Sequence, residues 1–285
     1  MAKLLSGKEV AAALAEELKQ RVSALAARGV TPRLAVLRVG ERADDLSYER
    51  GIKKRAETLG VLAETTVFPD TVSADELIAG IERMNADPAV HGILLFRPLP
   101  GELKREEARI VAHISPEKDV DGGTEPSLAG VFTGTQAGWC PCTPEACMAV
   151  LAHYGIDPAG KKAVVIGRST VVGKPLAMLL LEKNATVTVC HSKTPDLAAV
   201  ARGADILVSA AGKAGLVTKD FVSEGQVLLD VSVNWDAAEN KLCGDAVFNE
   251  VEPVVAAVTP VPGGIGAVTN TILLSHVIKS AERMG

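Results

Sequence analysis

Two periods of apolar and polar residues alternate along this chain. Short apolar runs such as Val164, Val165 and Ile166 are typical of strands buried on both faces, and longer stretches with apolar residues three and four apart are typical of amphipathic helices. In the first half the pattern predicts helices over 7–28, 44–59 and 73–85, strands over 33–39, 61–68 and 90–96, and a short helix that ends at 113.

The second half begins after a segment of different composition. Residues 115–144 are rich in Gly, Pro and Thr and are predicted to form a loop at a domain junction. Thr143 is expected to cap a helix over 144–154, and Thr269 a final helix that ends at Met284. Between them, strands are predicted near 163–167, 186–190, 205–209, 227–231 and 255–259.

This order of elements predicts the fold class. Strands that alternate with helices indicate an α/β protein with mostly parallel sheets. We expect two α/β domains with a cleft between them: residues 1–142 together with 269–285, and residues 143–268 as a Rossmann-like domain.

Composition and charge exclude several classes of protein. The 285 residues are 47% hydrophobic and 23% charged, as in a globular protein. The net charge of −5 and the absence of a basic stripe argue against a nucleic-acid partner. No apolar run approaches the roughly 20 residues that span a bilayer, so no membrane contact is expected. The first residues lack an apolar block of signal-peptide length, which predicts a cytoplasmic protein.

The five cysteines predict neither disulfides nor a metal site. An odd number without a secretion signal indicates reduced thiols. Cys140 and Cys142 are the one close pair, and no second Cys or His pair follows at the spacing that a zinc site needs.

Residues 164–175 (VVIGRSTVVGKP) carry the strongest functional signal. An apolar strand, a turn at Gly167 and a helical pattern are typical of a dinucleotide site, where glycines let a pyrophosphate approach the helix N-terminus. Ser169 stands where the usual pattern has its second glycine, so an ordinary strand-to-helix turn in an α/β protein is the alternative.

The next predicted strand indicates which dinucleotide is bound. An NAD site usually has an acidic residue at the end of this strand, whereas this chain has His191 and Ser192 there, and Arg168 in the preceding turn. Cationic and hydroxyl groups suit a 2′-phosphate. The residues therefore favour NADP over NAD. A later loop, 259–266, contains three glycines and suits a backbone that approaches a ligand closely.

Several motifs together resemble one known family. Residues 167–175, 141–144 (PCTP), 118–122 (KDVDG) and 259–264 (TPVPGG) are similar to motifs of the methylenetetrahydrofolate dehydrogenase/cyclohydrolase family, in the same order and across nearly the whole chain. The resemblance implies NADP-dependent oxidation of 5,10-methylenetetrahydrofolate to the methenyl form. In most members hydrolysis to 10-formyltetrahydrofolate follows. It also implies a homodimer paired through the cofactor domains, with tetrahydrofolate derivatives in the interdomain cleft.

The resemblance also implies roles for individual residues. Tyr48 matches the tyrosine that stacks on the folate, and Asp121 the aspartate that hydrogen-bonds the pterin. These two are the predicted catalytic residues. The predicted substrate-binding residues are Tyr48, Ile52, Phe96, Asp121, Pro262, Gly263 and Gly264. The predicted cofactor-binding residues are Gly167, Arg168, Ser169, Gly173, His191, Ser192 and the backbone at Val233.

Two departures from the family bear on the chemistry, and smaller changes occur at Ser232 and at Ala267 and Val268. Members usually have a lysine, their acid/base centre, four residues after the tyrosine, and this chain has Ile52 there. Lys53 is one residue further on, but five residues along a helix is a rotation of about 140° from Tyr48, whereas four is about 40°, so Lys53 should face elsewhere. Phe96 replaces a glutamine that contacts the lysine in the family.

These departures affect the two reactions differently. Hydride transfer depends mainly on positioning, so it should persist, whereas hydrolysis needs a positioned acid or base, so it should be weak or lost. Three alternatives remain open. Water or Asp121 could take over, which leaves the enzyme bifunctional. The chain could be an inactive folate- and NADP-binding protein. It could also be a different NADP dehydrogenase, acting on an amino acid or a shikimate-like acid.

Overall fold

Two compact units make up the protein. The computed structural model describes residues 1–135, 137–237 and 239–285. One unit, here called the six-stranded unit, contains Met1–Ala12 and Thr143–Thr269, and the other, the three-stranded unit, contains Ala13–Cys142 and Asn270–Gly285. The prediction that all of residues 1–142 pack together was wrong for the first twelve, because Lys3–Leu4 pairs in parallel with Ala257–Val258.

Helices and strands follow the predicted alternation. The helices are α1 (Gly7–Ala27), α2 (Ala43–Leu59), α3 (Ala74–Ala86), α4 (Leu103–Val111), α5 (Glu125–Thr133), α6 (Cys142–His153), α7 (Gly173–Glu182), α8 (Leu197–Arg202), α9 (Phe248–Val251) and α10 (Ile265–Met284). The strands are β1 (Lys3–Leu4), β2 (Arg33–Val39), β3 (Leu62–Phe68), β4 (Gly92–Leu95), β5 (Lys162–Ile166), β6 (Thr186–Cys190), β7 (Ile206–Ser209), β8 (Val227–Asp230), β9 (Asn234–Asp236), β10 (Lys241–Cys243) and β11 (Ala257–Val258). Among these helices, none has the length and apolar character needed to cross a membrane.

The three-stranded unit is built on a parallel sheet in the order β3-β2-β4. The central strand β2 and the short strand β4 are almost wholly buried, as expected for parallel strands covered on both faces. Strand β3, at one edge, alternates between exposed and half-buried residues. The carboxyl ends of β2 and β4 lie side by side, so the residues that follow them share one edge of the sheet.

The six-stranded unit has a fully parallel sheet in the order β1-β11-β8-β7-β5-β6. The chain passes from β5 to β6 on one side and then returns to place β7 on the other side of β5. Ligands of open α/β sheets bind outside the carboxyl ends of the strands at such a reversal. The residues after β5 therefore occupy the position expected of a dinucleotide site.

Three sequence predictions need correction. The predicted loop 115–144 contains helix α5, because the Thr124 side chain accepts a hydrogen bond from Ser127 N–H and Gly134 ends the helix with a φ of 68°. Thr143 does not cap the next helix, which begins at Cys142. Thr269 lies inside α10, where its hydroxyl donates to the Ile265 carbonyl at 3.3 Å.

Candidate functional site

Two glycines shape the turn after β5. Gly167 has a φ of 128°, a region that L side chains rarely adopt. A Cβ on Gly173 would overlap the Gly167 carbonyl, and a Cβ on Gly167 would overlap the Ala210 carbonyl. The backbone is therefore packed against itself at both positions, so neither position accepts a side chain without a shift of the turn.

Ser169 caps the start of α7. Its hydroxyl oxygen accepts hydrogen bonds from Val172 N–H at 3.1 Å and, more weakly, from Gly173 N–H at 3.4 Å. The helix N-terminus carries a partial positive charge, which favours an anionic ligand. Ser169 thus has a structural role within the loop, and its hydroxyl hydrogen stays available for a ligand oxygen.

The loop after β6 lies beside the loop after β5. Ile166 and Cys190 are paired in register, so Arg168 and Ser192 both follow neighbouring strand ends. His191 N–H donates to Thr194 Oγ1 at 2.9 Å, and His191 Nδ1 accepts from Lys193 N–H at 3.1 Å. These bonds order a loop that presents hydroxyl and cationic groups and carries no carboxylate from 191 to 194.

The segment after β8, which contains the predicted cofactor residue Val233, is held by a buried carboxylate. Asp245 Oδ2 accepts hydrogen bonds from the hydroxyls of Ser209 and Ser232, each at 2.8 Å, and Asp245 Oδ1 accepts from Asn234 Nδ2 at 3.1 Å. Asp245 was not among the predicted site residues, because nothing in its local pattern marks it as the partner of residues up to 36 positions away.

Asp230 lies next to this network. Its carboxylate accepts hydrogen bonds from Asp245 N–H at 3.0 Å and Ala246 N–H at 2.8 Å. Burial raises the pKa of Asp230 to about 6, with the nearby charge of Asp245 acting in the same direction and the backbone donors opposing it.

The predicted loop 259–266 packs backbone against backbone. Gly7 N–H donates to the Gly263 carbonyl at 2.9 Å, and a Cβ on Gly7 would overlap the Gly264 carbonyl. Gly263 has a φ of 104°. The predicted substrate-binding residues Pro262, Gly263 and Gly264 therefore belong to the six-stranded unit, together with the predicted cofactor-binding residues.

The other predicted substrate-binding residues belong to the three-stranded unit. The rings of Tyr48, on α2, and Phe96, directly after β4, have centroids 5.4 Å apart and are tilted by 43°. Phe96 N–H donates to the Leu37 carbonyl at 2.9 Å, which continues the pairing of β4 with β2. Burial raises the pKa of Tyr48, and the charge of Asp121 adds to that effect, so the phenol stays neutral at ordinary pH.

Ile52 and Lys53 point in different directions, as the helical rotation predicts. The Ile52 side chain is fully buried. The Lys53 ammonium lies 2.7 Å from Glu49 Oε1, and 46% of the lysine side chain is exposed. Glu49 also pairs with the buried Arg38 at 2.9 Å. Lys53 is therefore held by an ion pair on its own helix, whereas Ile52 is buried.

A second buried aspartate supports the loop that carries Asp121. Asp119 accepts hydrogen bonds from Gly123 N–H at 3.0 Å, Thr124 N–H at 2.8 Å and Ser127 Oγ at 2.6 Å. On the other side of the loop, His276 Nδ1 lies 2.8 Å from the Val120 carbonyl. These contacts fix the backbone on both sides of Asp121.

Asp121 itself pairs with an arginine. Arg97 Nη2 donates to Asp121 Oδ2 at 3.3 Å. Burial raises the pKa of Asp121, and the Arg97 guanidinium acts in the opposite direction. Arg97 was not among the predicted site residues. The signal in the sequence was a charged residue that follows the apolar run of β4 and Phe96.

The side chains of this site offer several groups that can bind a ligand. An ionised Asp121 accepts hydrogen bonds from N–H groups, and Tyr48 offers an aromatic face. Ile52 and Phe96 have no exchangeable proton, and arginine keeps its charge throughout the accessible pH range. Within the described ranges, no group of three or more His, Cys, Asp or Glu residues is placed to hold a metal ion.

Comparison with known families matches both parts of the chain. Residues 5–121 match the catalytic domain described as "Tetrahydrofolate dehydrogenase/cyclohydrolase, catalytic domain". Residues 141–285 match "Tetrahydrofolate dehydrogenase/cyclohydrolase, NAD(P)-binding domain". The two matches together cover most of the sequence.

Individual relatives are similar over their whole length. The bifunctional protein FolD of Carboxydothermus hydrogenoformans is 48% identical over 283 residues, which is 99% of this chain and 98% of the relative. The structure of the bifunctional FolD dehydrogenase/cyclohydrolase from Campylobacter jejuni is 38% identical, with a TM-score of 0.95 and 99% of each chain covered. The Trypanosoma brucei dehydrogenase-cyclohydrolase, solved with NADP and an inhibitor, is 34% identical, with a TM-score of 0.92 and 99% and 98% covered.

Proposed function

Because this chain belongs to the tetrahydrofolate dehydrogenase/cyclohydrolase family, we propose that it oxidises 5,10-methylenetetrahydrofolate to 5,10-methenyltetrahydrofolate with NADP. We further propose that its hydrolysis of the methenyl product to 10-formyltetrahydrofolate is weak or lost. The observation that carries the second part is the buried Ile52 beside a Lys53 that is paired with Glu49.

The loop after β5 fits the proposed cofactor. Gly167 and Gly173 form a tight turn in which a Cβ would meet the backbone, and Ser169 accepts a hydrogen bond from Val172 N–H at the start of α7. Gly167, Ser169 and Gly173 would hold the pyrophosphate, and Arg168, His191 and Ser192 the 2′-phosphate, with the backbone at Val233 as a further contact. NADP, when bound, supplies the hydride acceptor.

The oxidation step does not require a side chain of the protein to donate or accept a proton. The reacting carbon lies between two nitrogens that stabilise the cation left by the hydride, so the protein mainly positions the substrate. Tyr48 would stack on the folate ring, and Asp121 would accept hydrogen bonds from its N–H groups.

Hydrolysis makes a different demand. A water must be activated and a nitrogen leaving group protonated, and a positioned acid or base typically contributes 10²–10⁴-fold to such a step. Ile52 and Phe96 supply neither function, and Arg97 does not release a proton. Burial raises the pKa of Tyr48, so the phenol stays protonated and no phenolate is available to act as a base.

Full bifunctionality is the second candidate, since the relatives named above are called bifunctional. Two assays on one preparation separate the candidates: formation of NADPH from methylenetetrahydrofolate, and decay of methenyltetrahydrofolate. We expect NADPH formation together with a decay close to the uncatalysed rate. Fast enzymatic decay would favour bifunctionality, and absence of NADPH formation would contradict the dehydrogenase assignment.

We also propose a homodimer formed through the NAD(P)-binding domain. Strands β9 and β10 form an antiparallel hairpin with large apolar side chains in the solvent, and Trp235 and Leu242 stand opposite each other on it. Exposed apolar patches of this kind mark protein interfaces. Sedimentation equilibrium should report a dimer, and Trp235→Glu with Leu242→Glu should shift it toward monomer.

A further inference from the structure

Arg97 is fixed by two neighbours within the proposed folate site. Its guanidinium donates to the Asp121 carboxylate at 3.3 Å. It also lies against Gly123, where an added Cβ would come 2.6 Å from Arg97 Nη2 and 3.1 Å from Cζ. A side chain at 123 would therefore displace the arginine. The side chains of Arg97 and Asp121 are 21% and 30% exposed, so solvent screens this pair less than a surface ion pair.

The groups around Asp121 act on its pKa in opposite directions, and Arg97 is one of those that lower it. Asp119, two residues earlier, raises the pKa of Asp121 by repulsion, and burial raises it further. His276 on α10 and Arg97 after β4 both oppose that effect, Arg97 more strongly. Burial raises the pKa of Tyr48 on α2, and the charge of the same Asp121 carboxylate adds to that effect. Lys53 is paired with Glu49 instead.

We propose that Arg97 is a positioning residue that holds the Asp121 carboxylate, ionised and oriented, for recognition of the 2-amino-4-oxopyrimidine ring of the folate substrate. The inference rests on the proposed function, because it takes a folate as the ligand. A ring of this type presents an N–H and an NH₂ group side by side, and an ionised carboxylate can accept from both. A protonated carboxyl group has one oxygen occupied by hydrogen and cannot pair in the same way.

In this role Arg97 contributes to substrate binding and takes no part in proton transfer. Arginine remains charged over the whole working range, so it stabilises the carboxylate without serving as an acid or a base. The site therefore has a cation although position 52 on α2 is an isoleucine. This cation is Arg97, after the end of β4, and its proposed role is in substrate binding alone.

The test is the pH dependence of folic acid binding to the full chain, measured by calorimetry from pH 5 to 8.5. Folic acid carries the same ring and is not oxidised by hydride loss. In Arg97→Leu we expect the affinity at pH 7 to fall by about 10-fold, the loss of one charge-assisted interaction. The fall in affinity on acidification should begin roughly 1–3 pH units higher than in the parent chain, because the pKa of Asp121 is no longer held down.

Four further variants make the result specific. Arg97→Lys keeps the charge and should restore the acidic limb, whereas Arg97→Gln keeps hydrogen bonding without charge and should not. In an Asp121→Asn background, Arg97→Leu should change the affinity little, because the partner is already neutral. Arg105→Leu removes an exposed arginine paired with Glu102 and serves as the matched control.

Other outcomes would overturn the inference. A pH-independent loss in Arg97→Leu that Lys does not rescue indicates a merely structural role. Unchanged binding in Arg97→Leu means that Arg97 does not support Asp121. If the parent chain itself neither binds folic acid nor oxidises methylenetetrahydrofolate, the proposed function fails and this inference fails with it.

Discussion

The ring centroids of Tyr48 and Phe96 lie 5.4 Å apart, so one aromatic side chain supports the other in the proposed folate site. Tilted aromatic pairs at this distance stabilise each other by roughly 0.5–1.5 kcal/mol beyond burial. Phe96 thus places an apolar ring against the Tyr48 ring. In the proposed function, this contact would hold the Tyr48 ring for stacking on the folate.

The first prediction concerns the Tyr48 ring. Tyr48→Ala should lower kcat/KM for methylenetetrahydrofolate oxidation by roughly 10- to 100-fold, because a misplaced substrate loses its alignment for hydride transfer. Tyr48→Phe keeps the ring and should stay within about 3-fold of the parent, since the hydroxyl is neutral and is not needed as a base. Steady-state NADPH formation measures both. Equal losses in the two variants would show that the hydroxyl, not the ring, matters.

The second prediction concerns cofactor choice. Arg168→Ala should raise the KM for NADP by roughly 10- to 100-fold, because it removes a charge partner of the 2′-phosphate. The KM for NAD, which lacks that phosphate, should change by less than about 3-fold. Lys161→Ala, at the opposite end of β5, is the matched control and should leave both values unchanged. A similar loss for both cofactors would contradict the role given to Arg168.

The third prediction concerns stability and pH. The pKa of Asp230 in the folded protein is about 6, above the value of 3.8 for a free side chain. Between these values the folded state holds a proton that the unfolded state releases, so the stabilisation from Asp230 is complete below pH 4 and is lost as the pH rises through 6. A difference of about two pKa units corresponds to roughly 3 kcal/mol at most.

Asp230→Asn tests this directly. Urea unfolding from pH 4.5 to 7.5, followed by Trp235 fluorescence in a Trp139→Phe background, reports on the unit that contains Asp230. The free energy of unfolding of the parent, minus that of Asp230→Asn, should fall with rising pH up to about 7 and then level off. A difference that stays constant, or rises with pH, would refute the assignment.

The sequence predicted the fold well where local signals were strong. Strand β2 was predicted with the bounds that the structure has, because a continuous apolar run is typical of a strand buried on both faces of a parallel sheet. Helix α5 was missed because its stability comes from the Thr124 cap and from Asp119, which binds both Thr124 and Ser127. The composition of residues 115–144, rich in Gly, Pro and Thr, indicated only a loop.

The same distinction holds for the candidate site. The glycine turn and the Ile52 substitution could be found from the sequence, because spacing along one strand or helix defines them. The pairing of Arg97 with Asp121 joins residues 24 positions apart, and that of Asp245 with Ser209 joins residues 36 apart. Such contacts are set by the folded chain and leave no periodic signal.

The last prediction restores the missing acid/base group. Ile52→Lys alone should do little, because a fully buried lysine beside an apolar Phe96 has its pKa lowered by desolvation and lacks a polar partner. Ile52→Lys with Phe96→Gln supplies both parts and should raise hydrolysis of methenyltetrahydrofolate by at least about 10-fold, below the 10²–10⁴-fold of a fully positioned group. The two changes should couple non-additively, since we expect the new side chains to touch.

Two control variants show whether a gain in hydrolysis depends on a lysine at position 52. Ile52→Met keeps an apolar side chain and should leave hydrolysis at the level of the parent, and Lys53→Met removes a lysine that is paired with Glu49 and should do the same. The decay of methenyltetrahydrofolate is followed by its absorbance, with NADPH formation as the measure of an intact folate site. Strong hydrolysis by the parent chain would refute the prediction at once. So would a double variant that still oxidises methylenetetrahydrofolate but gains no hydrolysis, because the lysine position would then not be what the parent lacks.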